Sequence, residues 1–283
     1  MGTDKKCYPS IAQSWGMLGI ILLSMIVFSP LSLIKLDSVA SLFQFLSYVL
    51  SMGVPFLIFN YIRKKDTGET KYNFGKAPIR IFLLIILATA AIQTGITGPL
   101  ASLIPMPEWI VKIFMESINV KDGFLLIMVV LAAPVLEELI FRGIILDGFL
   151  KRYSPWKAII ISSILFGIVH FNPWQFVSAA LLGVFIGWIY TKTHNLLLAM
   201  FIHFVNNLIP SIMMLTSDTY KSNDYKALMN KTLVDAYGGL ANTIIITSVS
   251  ICVAFLCIYL LAKEFKNKDI IFPIEQSEKL LEQ

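Results

Sequence analysis

The chain has 283 residues, of which 57% are hydrophobic and only 14% are charged. This balance lies far from that of a soluble domain and is typical of a protein that crosses a membrane several times. The formal net charge is +5, but the basic residues fall beside the ends of apolar stretches, so we expect topology signals and no nucleic-acid partner. The three cysteines have no CxxC spacing and predict no disulfide framework.

The order of the apolar stretches predicts an all-α, polytopic integral membrane protein with about eight transmembrane helices in a single membrane domain, residues 1–283. The expected spans are 11–34, 39–62, 79–103, 123–150, 156–171, 176–190, 196–215 and 240–262. Residues 123–216 would form the catalytic core, with flanking spans at 11–105 and 240–262. The basic residues at span ends predict that both termini are cytoplasmic. Lysine dominates arginine, which favours a microbial genome and hence a prokaryotic plasma membrane.

Two parts of this pattern are irregular. The fifth and sixth spans are short for a crossing of roughly 30 Å, so we expect a mismatch, a locally thin bilayer or a partly re-entrant pair around Asn172. The segment 105–122 alternates apolar and charged residues at helical spacing, which predicts either an interfacial helix or an amphipathic loop.

Three polar clusters lie inside the apolar spans. They are Glu137, Glu138 and Arg142 in the fourth span, Phe166 and His170 in the fifth, and His203 and Asn207 in the seventh. Ionisable side chains at membrane depth are costly, so they usually find partners beside a water-filled cavity or a reaction site. We interpret the three clusters as one catalytic centre.

The spacing within each cluster suggests a division of roles. Glu138 and Arg142 are four residues apart and share a helix face, whereas Glu137 points roughly 100° away. One glutamate can therefore pair with Arg142 while the other accepts a proton from water. Together the three helices supply a base, two imidazoles and a carboxamide, which can activate water and stabilise an oxyanion. Peptide hydrolysis is the reaction that this set favours.

The residues Glu137 to Arg142, Phe166 to His170 and His203 to Asn207 match the motifs EExxxR, FxxxH and HxxxN in order. This combination resembles the CAAX-processing and bacteriocin-processing (Abi/Rce-type) family of intramembrane endopeptidases. The resemblance implies that Glu137 and His170 activate the water, that His203 and Asn207 hold the oxyanion, and that Glu138 and Arg142 shape and charge the site. It also implies a membrane-associated or lipidated peptide or protein as substrate.

Several alternatives stay open at this stage. We favour a mechanism without a cofactor, but zinc held by Glu137, His170 and His203 is possible, since zinc accepts this ligand set. A proton-coupled transporter, or an immunity protein that binds a peptide without cutting it, would also use buried polar residues. Asn206 competes with Asn207 for the amide role. His194 lies at a predicted helix boundary and is expected to stay outside the site.

Overall fold

A computed structural model of the protein describes residues 7–34, 36, 39–110, 122–216 and 232–266. These residues form helices and contain no strand, which confirms the predicted all-α polytopic architecture. The eight apolar helices are α1 (Ile11–Ser32), α2 (Ala40–Thr67), α3 (Ile79–Ser102), α4 (Gly123–Leu150), α5 (Pro155–Ile168), α6 (Pro173–Thr193), α7 (Leu196–Thr216) and α8 (Leu240–Glu264). All of them except α5 are long and apolar enough to cross a membrane.

The expectation of two short spans holds for α5 but not for α6. Helix α5 has 14 residues, fewer than the about 20 that a straight crossing needs. Helix α6 has 21 residues because it begins and ends three residues beyond the predicted bounds. At its start, the Asn172 side chain accepts from the backbone N–H of Gln175 and a proline occupies the first turn. Of the segment 105–122, a helix begins at Glu108, and residues 111–121 lie outside the described part of the chain.

Helices α3 and α4 contain π-helical segments, which shift the backbone hydrogen bonds by one residue. In the first π segment of α4, Met128–Ala132, the N–H of Ala133 donates to the carbonyl of Met128. In a regular α-helix the same N–H would donate to the carbonyl of Val129. In the shifted register residue 134 would donate to the Val129 carbonyl instead, but Pro134 has no N–H. The Val129 carbonyl is therefore free to accept a hydrogen bond from another helix.

One hydrophobic core receives residues from all eight helices. Within it, α5 and α6 approach closely where Gly183 faces Ser163: a Cβ added to Gly183 would lie 2.9 Å from the Ser163 Cβ. Small residues at such positions let membrane helices pack backbone to backbone. Helix α1 packs on α2, and α2 also contacts α4, so the N-terminal helices lie against the helix that carries Glu137 and Glu138.

The carboxyl ends of α2 and α4 meet in an ion cluster, which we call the helix-end cluster: Arg63, Glu69, Asp147 and Lys151. The Lys151 Nζ lies 2.5 Å from Glu69 Oε2 and 2.8 Å from Asp147 Oδ2. Partial burial acts to raise the pKa of Glu69, but Lys151 and Arg63 outweigh it and hold that pKa below its ordinary value. Burial likewise opposes the charge of Lys151, yet the two carboxylates raise its pKa.

Candidate active site

A cavity of about 420 Å³ opens between α2, α4, α5, α6 and α7. Its polar lining residues are Tyr48, Glu137, His170, Gln175, Ser178, His203, Asn206, Asn207 and Ser211. The three polar clusters seen in the sequence therefore converge on one place. Of the six predicted site residues, Glu137, His170, His203 and Asn207 line the cavity, whereas Glu138 and Arg142 lie behind its wall.

The pair behind the wall is a buried salt bridge. Arg142 Nη1 donates to Glu138 Oε1 at 3.0 Å, and the two side chains are 1% and 0% exposed. Arg142 Nη2 donates to the carbonyl of Gly183 at 3.2 Å, and the guanidinium lies over the Phe166 ring, 4.6 Å from its centroid. Charge, hydrogen bonds and a cation–π contact hold the pair together. The two charged groups therefore stay in fixed positions behind the cavity wall.

Glu137 is held differently from Glu138. Its Oε1 accepts a hydrogen bond of 2.6 Å from the hydroxyl of Tyr48 in α2. Among the described residues no group donates to its Oε2, although that oxygen is buried. The nearest cation candidate is His203, whose Nε2 lies 3.9 Å from Glu137 Oε2. A buried carboxylate oxygen without a partner is costly unless water or a substrate completes it. Glu138 Oε2 is likewise buried without a partner among the described residues, so Glu137 differs from Glu138 by lining the cavity.

The two histidines have different hydrogen-bond partners. His203 Nδ1 lies 2.8 Å from Glu138 Oε1, and His170 Nδ1 lies 2.9 Å from the carbonyl oxygen of Phe166. Because both partners only accept, each Nδ1 carries a proton. In its neutral form His170 therefore presents a bare Nε2. His203 lies among two carboxylates and one guanidinium, and protonation of its Nε2 would balance the one negative charge that they leave.

Phe166 separates the two imidazoles. Its ring centroid lies 5.2 Å from that of His170 and 5.6 Å from that of His203, both in edge-to-face geometry. Its side chain is buried and also packs against Phe141. These contacts fix the ring planes of both histidines, as expected for a cavity wall.

A chain of amides crosses the site from α3 to α4. Gln93 Nε2 donates to Asn206 Oδ1 at 2.8 Å, Asn206 Nδ2 donates to Asn207 Oδ1 at 3.1 Å, and Asn207 Nδ2 donates to the freed Val129 carbonyl at 2.8 Å. An amide nitrogen has two hydrogens, so Asn207 keeps one for another acceptor. Asn206 and Asn207 both line the cavity, and the amide chain links the two residues between which the sequence could not choose.

The zinc alternative finds no prepared site in the part of the chain that the structure describes. No three side chains among its His, Cys, Asp and Glu residues are grouped as ligands of one metal ion. Glu137, His170 and His203 share the cavity but are not arranged as such a set. His194 caps the carboxyl end of α6 through its backbone N–H and does not line the cavity, as expected.

Sequence reasoning missed two residues that support the site, Tyr48 and Gln93. Gln93 carried a usable signal, because an amide in the middle of an apolar span needs a partner. Tyr48 carried no such signal, because tyrosine is common in membrane helices. It also precedes Glu137 by 89 positions, and no sequence motif links the two.

The fold and the cavity thus define a class: polytopic membrane proteins with a buried site of glutamate, histidine and asparagine. Residues 119–209, which contain all six predicted site residues, match the family model described as Rce1-like, type II CAAX prenyl endopeptidase. This match confirms the resemblance stated from the sequence and supports a membrane CAAX-type endopeptidase.

Two curated proteins are similar to the chain. The putative membrane peptidase YdiL of Bacillus subtilis is 26% identical over 185 residues, which cover 62% of this chain and 72% of that protein. CAAX prenyl protease 2 of Methanococcus maripaludis is 30% identical over 114 residues, which cover 33% of this chain and 42% of that protein. No solved structure matches the chain significantly.

Proposed function

We propose that this protein is an intramembrane endopeptidase that cuts a peptide bond of a membrane-associated or lipidated protein with water activated by a glutamate. The observation that carries the proposal is the contrast between the two adjacent carboxylates. Glu138 lies behind the cavity wall and pairs with Arg142 and His203, whereas Glu137 lines the cavity and, among the described residues, accepts only from Tyr48. One acid is used for structure and the other is left for proton transfer.

The proposed reaction begins with water bound between Glu137 Oε2 and the bare Nε2 of His170. Glu137 takes a proton from the water as the oxygen attacks the substrate carbonyl. Protonated His203 and the spare amide hydrogen of Asn207 donate to the oxyanion that forms. The proton then passes to the leaving nitrogen as the carbon–nitrogen bond breaks. The family resemblance and the Rce1-like match support the same assignment of Glu137, His170, His203 and Asn207.

We further propose that both termini lie in the cytoplasm of a prokaryotic cell. Basic residues lie at the carboxyl ends of the even-numbered helices. These ends face the same side of a membrane when the short helix α5 also crosses it, which a locally thinned bilayer allows. The name of the Methanococcus relative supports a prenylated substrate.

The test is cleavage of a prenylated CAAX peptide by the purified protein in detergent, followed by mass spectrometry of the released fragment. Wild type should cleave, and Glu137→Ala should lose at least about a thousandfold in kcat, since it removes the general base. Glu69→Gln, a change of an exposed carboxylate in the helix-end cluster, is the control and should keep wild-type activity. A wild type that cleaves no peptide, prenylated or not, contradicts the proposal and favours a transporter or an immunity protein.

The same assay separates the metal-free mechanism from the zinc alternative. Wild type is treated with ortho-phenanthroline or with its non-chelating meta isomer. The proposed mechanism predicts equal activity with both compounds. Activity lost only with the chelator would show that a metal ion takes part.

A further inference from the structure

We infer that Tyr48 is a positioning residue for the water-activating carboxylate of Glu137. Helix α2 then completes a site whose six predicted residues all lie within the Rce1-like segment, residues 119–209. This inference rests on the proposed function and extends it to a helix that the family match does not cover.

The geometry gives the hydroxyl a definite role. A carboxylate can only accept, so the Tyr48 hydroxyl donates to Glu137 Oε1, and the 2.6 Å separation is typical of a charge-assisted bond. With Oε1 bound to Tyr48, Oε2 is the Glu137 oxygen that has no partner among the described residues. The bond therefore selects the oxygen that acts as base and stops the carboxyl group from rotating.

The position of Tyr48 is itself fixed by its neighbours. The Ser47 hydroxyl donates to the carbonyl of Phe28 at 2.9 Å and ties α2 to α1. The Tyr48 ring packs against the hydrophobic core, and its hydroxyl reaches across to α4. Helices α1 and α2 thus fix the position of the Tyr48 side chain. Its hydroxyl in turn fixes the carboxylate of Glu137.

A role in positioning differs from a role in stability because it changes the carboxylate group itself. The Tyr48 hydroxyl donates to one oxygen of Glu137, so its removal should alter the vibration of that carboxylate and lower kcat without weakening substrate binding. The charged or titratable groups around Glu137 are Tyr48 from α2, Glu138 and Arg142 from α4, His170 from the turn after α5 and His203 from α7. The cavity-lining residues of α6 carry no charge.

The test is Tyr48→Phe, which removes only the hydroxyl. Tyr190→Phe is the matched control, because that buried tyrosine also donates to a carboxylate, Asp147 at 3.4 Å, but lies outside the cavity. For cleavage of the prenylated peptide, Tyr48→Phe should lower kcat about tenfold and leave KM within about twofold. Tyr190→Phe should leave kcat unchanged.

A second measurement does not depend on activity. The infrared difference between wild type and Glu137→Gln isolates the carboxylate band of Glu137. Tyr48→Phe should shift this band, because the carboxylate loses a hydrogen bond. An unshifted band, an unchanged kcat, or a loss that appears in KM and not in kcat would each overturn the inference. If Tyr48→Phe shifts the band but wild type cleaves no peptide, the hydrogen bond stands and the proposed function is rejected.

Discussion

Neighbouring residues of one helix can have opposite roles when their surroundings differ. Glu137 and Glu138 are adjacent, yet Glu138 contacts Arg142 and His203 while Glu137 contacts Tyr48 and the cavity. The four-residue spacing of Glu138 and Arg142 predicted their pairing, because such residues meet on a helix surface. The partner of Glu137 was not predictable, since it depends on how α2 packs against α4.

The amide chain leads to a prediction that separates the two asparagines. Asn207→Ala should lower kcat by about a hundredfold to a thousandfold, the usual loss for one oxyanion donor. Asn206→Ala should lower it by only about tenfold, because Asn206 acts by orienting its neighbour through one hydrogen bond. Initial rates of peptide cleavage by both variants provide the measurement. Equal losses, or a larger loss for Asn206→Ala, would contradict this division.

At the scale of elements, the π-helical segments supply what a sequence pattern cannot reveal. Helix lengths and apolar faces follow from composition and a period of 3.6, and the predicted bounds were close for α1, α3, α4, α7 and α8, whereas α2 runs five residues further. The freed carbonyl of Val129 follows from a one-residue change in hydrogen-bond register together with Pro134, which has no N–H. The proline is visible in the sequence, but the change of register is not, so the partner of Asn207 could be found only in the structure. The early start of α6 carried a recognisable signal, the capping Asn172 followed by proline.

The close contact of α5 and α6 gives a prediction about packing. Gly183→Ala places a Cβ 3.1 Å from the Ser163 Cα, so a helix backbone must move. The variant should lose about 1–3 kcal/mol of unfolding free energy, as overpacked cores do. It should also cleave more slowly, because the Gly183 carbonyl accepts a hydrogen bond from Arg142 and a shift of α6 would displace that guanidinium.

Gly19→Ala is the matched control for this packing effect. Gly19 lies in α1, and a Cβ there meets nothing within 4 Å. Its unfolding free energy should change by less than about 1 kcal/mol. Denaturant unfolding in detergent measures both variants, and similar values for the two would show that the contact at Gly183 is loose.

For the whole molecule, the helix-end cluster predicts how stability depends on pH. Glu69 has a lowered pKa, so its contribution is present above its ordinary pKa of 4.5 and is lost as the pH falls through its folded-state value. Lys151 has a raised pKa, so its contribution is present below its ordinary value of 10.5 and is lost as the pH rises through its folded-state value. The cluster therefore stabilises the protein most between these two limits.

Lys151→Met tests this prediction. The side chains of Lys151 and Glu69 are 36% and 41% exposed, so solvent screens the pair and the loss at neutral pH should be about 0.5–1 kcal/mol. In thermal melts, the variant should lack the part of the fall in stability at alkaline pH that comes from deprotonation of Lys151. Lys65→Met, at an exposed lysine of α2, should keep that decline. An alkaline limb that is the same in wild type and Lys151→Met would contradict the assignment.

The salt bridge between Glu138 and Arg142 also bears on how the protein is made. Helix α4 must leave the aqueous translocation machinery and enter lipid with three ionisable side chains in its middle, each of which costs about 2.5–3.5 kcal/mol on insertion scales. Two of these, Glu138 and Arg142, lie four residues apart and can neutralise each other within the nascent helix, before any other helix arrives. Glu137 has no such partner within α4, and it meets Tyr48 and His203 only when α2 and α7 pack around it. The docking of α2 and α7 on α4 is therefore the step of assembly that completes the surroundings of Glu137.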